Sequence, residues 1–136
     1  MTEKVIGLFF ILYTQFKEVD KMHELSYIID IVNAVQEEAE KNNIRKVKKI
    51  IVDVGEMSGV VPYYLHKYYP EAVKGTNLSD TELETNLIEV QIQCEGCGNT
   101  YHPDKENRYK CPDCGERKGK LLKGKGIQIN SLEIEE

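Results

Sequence analysis

Four cysteines in two Cys-x-x-Cys pairs, Cys94–Cys97 and Cys111–Cys114, constrain this chain more than any other feature, and no cysteine lies outside that span. Two thiols three positions apart can turn toward one ion. The glycine after each pair, Gly98 and Gly115, takes turn conformations at no steric cost, so backbone N–H groups can approach the sulfurs. Thirteen residues separate Cys97 from Cys111, enough for a short hairpin that brings the two pairs together. Four thiolates offer a closed tetrahedral set, which suits zinc at Zn–S distances of about 2.3 Å, although an all-sulfur site also suits iron. The competing reading is a redox dithiol, but a thioredoxin-like pair occurs once, at a helix start, and here the pair is doubled among proline and glycine. With no open coordination position the metal is structural. The intervening "GNTYHPDKENRYK" is too polar to hold itself by apolar burial, so metal binding is expected to supply its folding energy.

The whole chain of 136 residues fits one domain of ordinary size, or a small domain with a smaller one inserted. It carries a net charge of -5, and the charge is uneven. Between Cys94 and Gly126 eight Lys/Arg face five Asp/Glu, giving +3, so the remainder carries -8. A total of this sign does not suit a polyanion binder. The apolar run Val5–Tyr13, "VIGLFFILY", is far shorter than the roughly 20 residues that cross a bilayer. It also lacks the basic flank and small-residue cleavage site of a secretory signal. The chain is read as cytoplasmic, with no membrane association.

From Leu25 the apolar residues Leu25, Ile28, Ile29, Val32, Val35 and Ala39 recur at the spacing of one helix face, and Asn42-Asn43 supplies a stop. "VKKIIVDVGE" alternates as a strand that ends at Gly55. Val61-Pro62 opens a second helix, since proline at the first helical position forfeits no bond. Its inner stripe is Leu65, Tyr68, Ala72 and Val73, and Pro70 predicts a kink or a division into two. Leu83–Gln93 reads as one strand running straight into Cys94. A last strand carries Ile127, Ile129, Leu132 and Ile134, whose slip in phase at Asn130-Ser131 predicts a bulge.

Together "MHELS" from Met22, "VDVGEMSGVVP", Gly75-Thr76 after the second helix, the two cysteine pairs and a glycine-led last strand resemble the hydrogenase maturation nickel metallochaperone family (HypA/HybF), from Met22 to the C-terminus. The resemblance implies that Ni2+ is held by the terminal amine of Met22, the ring and backbone nitrogen of His23, and the backbone nitrogen of Glu24. Nitrogen donors in a plane suit Ni(II). It further implies structural Zn2+ on Cys94, Cys97, Cys111 and Cys114. The cargo would go to the precursor of the nickel-iron hydrogenase large subunit, with help from a GTPase accessory protein. The function is that of a carrier, not an enzyme.

An amine ligand at Met22 must be free. The codons of Lys17-Glu18-Val19 can spell a ribosome-binding sequence, so residues 1–21 are expected to be an N-terminal extension upstream of the physiological start. Glu56, in the family's Gly-Glu signature, is read as solvated, with orientation of His23 or contact with a partner as the alternatives. His102 is read as an exposed loop histidine before Pro103, with a contact behind the cysteine ligands or the replacement of one of them as its alternatives. His66 has no assigned role.

The expected architecture is α+β. A nickel-binding domain, 22–93 plus 127–136, has two helices on one face of a three-stranded mixed sheet, interrupted by a zinc-binding ribbon at 94–126. The rival from another class is a zinc-ribbon nucleic-acid binder using the +3 segment with Tyr101 and Tyr109. The small charge and its interspersed acids argue against nucleic acid as the partner.

Overall fold

A computed structural model describes the backbone of residues 3–12 and 22–135 and the side chains of 24–135. The expected start-site extension therefore lies largely outside the described residues; within it only the strand β1, Glu3–Leu12, is described. The order continues α1 (Met22–Lys41), β2 (Lys46–Gly55), a single 3-10 turn (Glu56–Ser58), α2 (Pro62–Val73), β3 (Glu82–Ile88), β4 (Gln91–Cys94), β5 (Thr100–Tyr101), β6 (Gly119–Lys123) and β7 (Ile127–Glu135).

From Met22 onward the main sheet is the expected three-stranded mixed one, with β2 between β3 and β7. β1 adds a fourth strand on the outer edge of β7. β2 runs parallel to β3 and antiparallel to β7. Parallel neighbours need a crossover, and α2 provides it.

The alternation of β2 sends Ile50, Val52 and Val54 into the core, all fully buried. In β7 Ile129 pairs with Val52 and Ser131 with Ile51, so Asn130 is the extra residue of the expected bulge. The bulge flips the phase of the strand. Ile127 and Ile129 before it and Leu132 and Ile134 after it all face the helices.

Two helix expectations need correction in detail. On α1 the buried stripe is Tyr27, Ile28, Ile31, Val32, Val35 and Ala39, whereas Ile29 is 44 % exposed. On α2 the fully packed residues are Leu65, Tyr69 and Val73, with Tyr68 and Ala72 only partly buried. α2 also continues through Pro70 without a break. Proline removes the bond to the carbonyl four residues earlier, and that carbonyl belongs to His66, an exposed residue, which lets water replace the lost donor. The connection out of α2 is locked to the sheet. Tyr69 Oη donates to the Thr81 carbonyl at 2.8 Å, and Thr81 Oγ1 donates to the Val47 carbonyl at 2.6 Å.

Leu83–Gln93 is not one strand. β3 ends at Ile88 in the main sheet, and β4 begins at Gln91 in a second, three-stranded sheet of order β5-β4-β6. The two sheets meet where backbones cross closely. Gly55 N–H donates to Gly126 O, and Met57 N–H to Gly124 O, each at 2.8 Å. A Cβ on Gly55 would lie 2.5 Å from Gly124 O, and one on Gly124 would lie 2.6 Å from Val90 Cα.

Gly55 has an ordinary extended backbone, φ -70 and ψ 140, so the penalty of a side chain there is purely steric. Gly55→Ala is expected to lower stability in urea unfolding by about 1–3 kcal/mol, as overpacking does. An unchanged midpoint would mean that the crossing is loose. Ile50→Ala, which leaves a cavity at a fully buried site, is expected to cost about 2–5 kcal/mol in the same measurement.

Candidate metal centre and the end of the sheet beside it

Each cysteine pair forms a tight knuckle. Gly98 N–H donates to Cys94 O at 3.0 Å and Gly115 N–H to Cys111 O at 2.8 Å. Both glycines sit at positive φ, 79 and 76, which a side chain would resist. The donor aimed at sulfur is Gly96 inside the first pair, whose N–H lies 3.2 Å from Cys94 Sγ, while Gly98 and Gly115 bond to carbonyls. The hairpin between the pairs brings all four Sγ atoms within 4.8 Å of one another. Cys94 and Cys114 are 3.4 Å apart, and Cys97 and Cys111 3.6 Å. A disulfide needs about 2.05 Å, and these thiols are free. Sulfurs about 2.3 Å from a common ion would lie roughly 3.8 Å apart, so the spacing fits a tetrahedral metal.

The thiols do not ionise alike. The backbone N–H of Cys97 leads in lowering the Cys94 thiol to about 7, aided by its sulfur neighbours and Gly96. The Glu116 N–H pulls the Cys114 thiol down, yet Cys94, burial and the other two sulfurs together push it up to about 12. Without a cation, four sulfurs this close cannot all carry charge at neutral pH; a bound metal reverses that balance. Cys94 and Cys111 are buried with Tyr101, and Ile92 packs against them. Little else apolar supports the ribbon.

At the other expected site, Met22 and His23 are the first two residues of α1, and their side chains lie outside the described residues. Glu24 occupies the first turn and is buried, and among the described residues its Oε2 has no hydrogen-bond partner. Topology brings this end toward the ribbon. α1 has 20 residues and β2 has 10, which span about 30 and 33 Å at 1.5 and 3.3 Å per residue. A short turn joins them, so Met22 lies at the Gly55 end of β2. β3 also ends there and β7 begins there, which makes it the end from which the ribbon leaves and returns.

Glu56 and His102 meet at this junction. His102 Nε2 lies 2.9 and 3.2 Å from the two Glu56 carboxylate oxygens, and Glu56 Oε1 also accepts the Val90 N–H at 3.1 Å. The bond to His102 first, then that to Val90, holds the Glu56 carboxyl below its ordinary value, and the Glu56 bond raises the His102 imidazole. His102 is thus a loop histidine with its side chain 36 % exposed, as expected, and it also meets Glu56. Sequence reasoning had no signal for this pair, because 46 residues separate its members. A second cluster also went unread. On the sheet face away from the helices, Asp53 accepts from Asn86, Gln128 and Asn130 at 3.4, 3.3 and 3.0 Å. His66 Nε2 is 3.0 Å from Thr85 Oγ1, tying α2 to β3. Among the described residues no helix is long and apolar enough to cross a membrane.

A family described as "Hydrogenase/urease nickel incorporation, metallochaperone, hypA" matches residues 22–134. The hydrogenase maturation factor HypA of Caldanaerobacter subterraneus subsp. tengcongensis is 35% identical over 117 residues, covering 84% of this chain and all of that protein. The Aquifex aeolicus protein of the same name is 30% identical over 114 residues, covering 84% and 98%. The solution structure of the Ni metallochaperone HypA from Helicobacter pylori shares the fold at a TM-score of 0.61 and 20% identity, over 82% of this chain and 96% of that one. A second solution structure of a HypA protein does so at 0.65 and 22%, over 83% and 96%. With a tetrathiol ribbon mounted on a two-helix mixed sheet, and a family match that starts at the first residue of α1, this chain belongs to the HypA family of nickel-incorporation metallochaperones.

Proposed function

We propose that the protein carries Ni2+ at Met22, His23 and Glu24 and delivers it in the cytoplasm to the nickel-iron hydrogenase large-subunit precursor, together with a GTPase accessory protein. It acts as a carrier and not as a catalyst. The observation that carries this reading is the start of α1 at Met22, where the family match also begins. Amide nitrogens in the first helical turn have no carbonyl four residues earlier within the helix, so those of His23 and Glu24 are free of helix bonding and can turn to a metal. The Glu24 side chain is buried beside them in the same first turn.

An amine and an imidazole beside two backbone nitrogens suit Ni(II) in a plane, and a terminal segment rearranges at little cost when the ion must leave. The amine must be unblocked. In titrations, a chain that begins at Met22 is expected to bind one Ni2+, and its His23→Ala variant to bind at least about tenfold more weakly, roughly 1.4 kcal/mol. The 136-residue chain, in which the Met22 nitrogen is a peptide amide, is expected to bind weakly as well. Equal affinity in all three would remove Met22 and His23 from the site.

The four thiolates of Cys94, Cys97, Cys111 and Cys114 hold Zn2+ in this reading, and residues 94–126 form the domain built on it. The sulfur spacing and the closed donor set support a structural ion. When bound, zinc supplies a fixed crosslink among the four sulfurs and no reactive position. Chelation at neutral pH, or Cys97→Ser, is expected to strip amide-exchange protection from β4, β5 and β6 while β2, β7 and α1 keep theirs. Protection lost equally throughout would show that the two units fold as one.

A further inference from the structure

The ribbon is tethered to the main sheet by two short connections, Glu89-Val90 and Gly124–Gly126. The second is bonded to Gly55 and Met57 by backbone hydrogen bonds, and the first packs on the second where Val90 and Glu89 meet Gly124. Such a crossing fixes where the ribbon is attached; side chains must decide how it leans. Among the described residues, the side chain that joins the two units is Glu56. One of its oxygens takes the Val90 N–H at the root of the ribbon and lies 2.9 Å from His102 Nε2 out on the ribbon itself.

His102 is held for this contact from behind. Asn107 Nδ2 donates to the His102 carbonyl at 2.8 Å. Asn107 is itself locked to Asp104 by reciprocal bonds of 3.0 and 2.9 Å. The loop adopts left-handed backbone at both Arg108 and Tyr109, φ 55 and 59, a conformation that non-glycine residues keep only when their surroundings hold them there. We propose that Glu56 and His102 are positioning residues, a latch that holds the ribbon toward the end of the sheet where α1 begins. That this is the nickel end rests on the function proposed above; the latch itself does not.

The pair is reversible by construction. Both side chains are more than a third exposed, 41 % and 36 %, and an ion pair this open to water contributes little to global stability. What it controls is the orientation of one unit on another. The charged groups facing His102 are Glu56, Glu89 from the connection after β3, and Asp104 from its own loop, 3.9 Å from Nδ1. All three are acidic and favour the imidazolium. For a histidine raised in this way, the contribution is complete below its ordinary value of 6.5 and is lost as pH rises through the higher folded value. Glu56, lowered, contributes above its ordinary 4.5 and fails only as pH falls through its lower folded value. The latch is therefore closed in mildly acidic solution, between the ordinary carboxyl and imidazole values, and weakens as pH rises through the raised value of His102.

The test uses the full chain loaded with zinc and no nickel, so that its outcome is separable from that of the nickel titrations. Residual dipolar couplings report the orientation of the ribbon against the sheet from about pH 6 to about pH 9, a range that brackets a raised histidine. The wild-type protein is expected to hold one orientation at the acidic end and to lose it with a midpoint above that of free histidine. His102→Ala should lack the single orientation at every pH, and His102→Gln, whose amide donates without titrating, should show no pH dependence. The 113Cd shift of the cadmium-loaded cysteine site, unchanged in both variants, establishes that the ribbon is folded. A wild-type orientation in His102→Ala at pH 6, or an undiminished pH profile in either variant, would overturn the proposal.

Discussion

The junction between the sheet and the ribbon depends on three backbone segments passing within contact distance of one another. Gly55 sits against Gly124 and Gly126, and Gly124 against Val90, with no room for a Cβ at Gly55 or Gly124. The end of β2, both roots of the ribbon and the start of β7 are thereby gathered into a patch a few residues wide. Because α1 and β2 are nearly equal in length, the start of α1 falls at the same end. Among the described residues the main core lies between the helices and the sheet, and a second, much smaller cluster lies in the ribbon.

The two units draw their stability from different sources. The α+β unit rests on apolar burial, with eleven large side chains under 2 % exposed among the described residues, most of them on α1, α2, β2 and β7. The ribbon has Cys94, Cys111 and Tyr101 buried, with Ile92 beside them, which is too little to offset the conformational entropy of a segment that length. Its order is bound up with its ligand set. The depressed Cys94 thiol and the raised Cys114 thiol mark the same fact electrostatically: the sulfurs are placed for a cation and repel one another's charge without it.

Much of this was legible from residues alone, and where it was not the physical reason is plain. Paired cysteines with glycine behind them specify a knuckle with few alternatives. The alternation of Ile50, Val52 and Val54 could only be a one-sided strand, and the phase slip after Ile129 required the bulge at Asn130. The helix faces were harder. Ile28, Ile29, Ile31 and Val32 are nearly contiguous, so periodicity allows the stripe to rotate by a residue, and packing against β7 and α2 chose Ile31 over Ile29. The break between β3 and β4 left no mark, because Ile88 and Ile92 keep the same alternation although they belong to different sheets. No local rule connects Glu56 with His102. Their meeting is a consequence of the crossing, and only the folded chain displays it.

A carrier must hold its ion firmly enough to exclude water and loosely enough to surrender it, and the distribution of rigidity here answers both demands. The metal expected to stay is enclosed by four side chains on a cross-linked ribbon. The metal expected to travel is assigned to nitrogens at the start of a helix, where backbone donors are unspent within the helix. Between them stands an exposed carboxylate–imidazole pair, whose strength follows the protonation of one ring. Because all three lie at one end of the sheet, a change in the lean of the ribbon alters the surroundings of the α1 terminus without any rearrangement of the core. The core can then remain a fixed reference against which the ribbon is positioned.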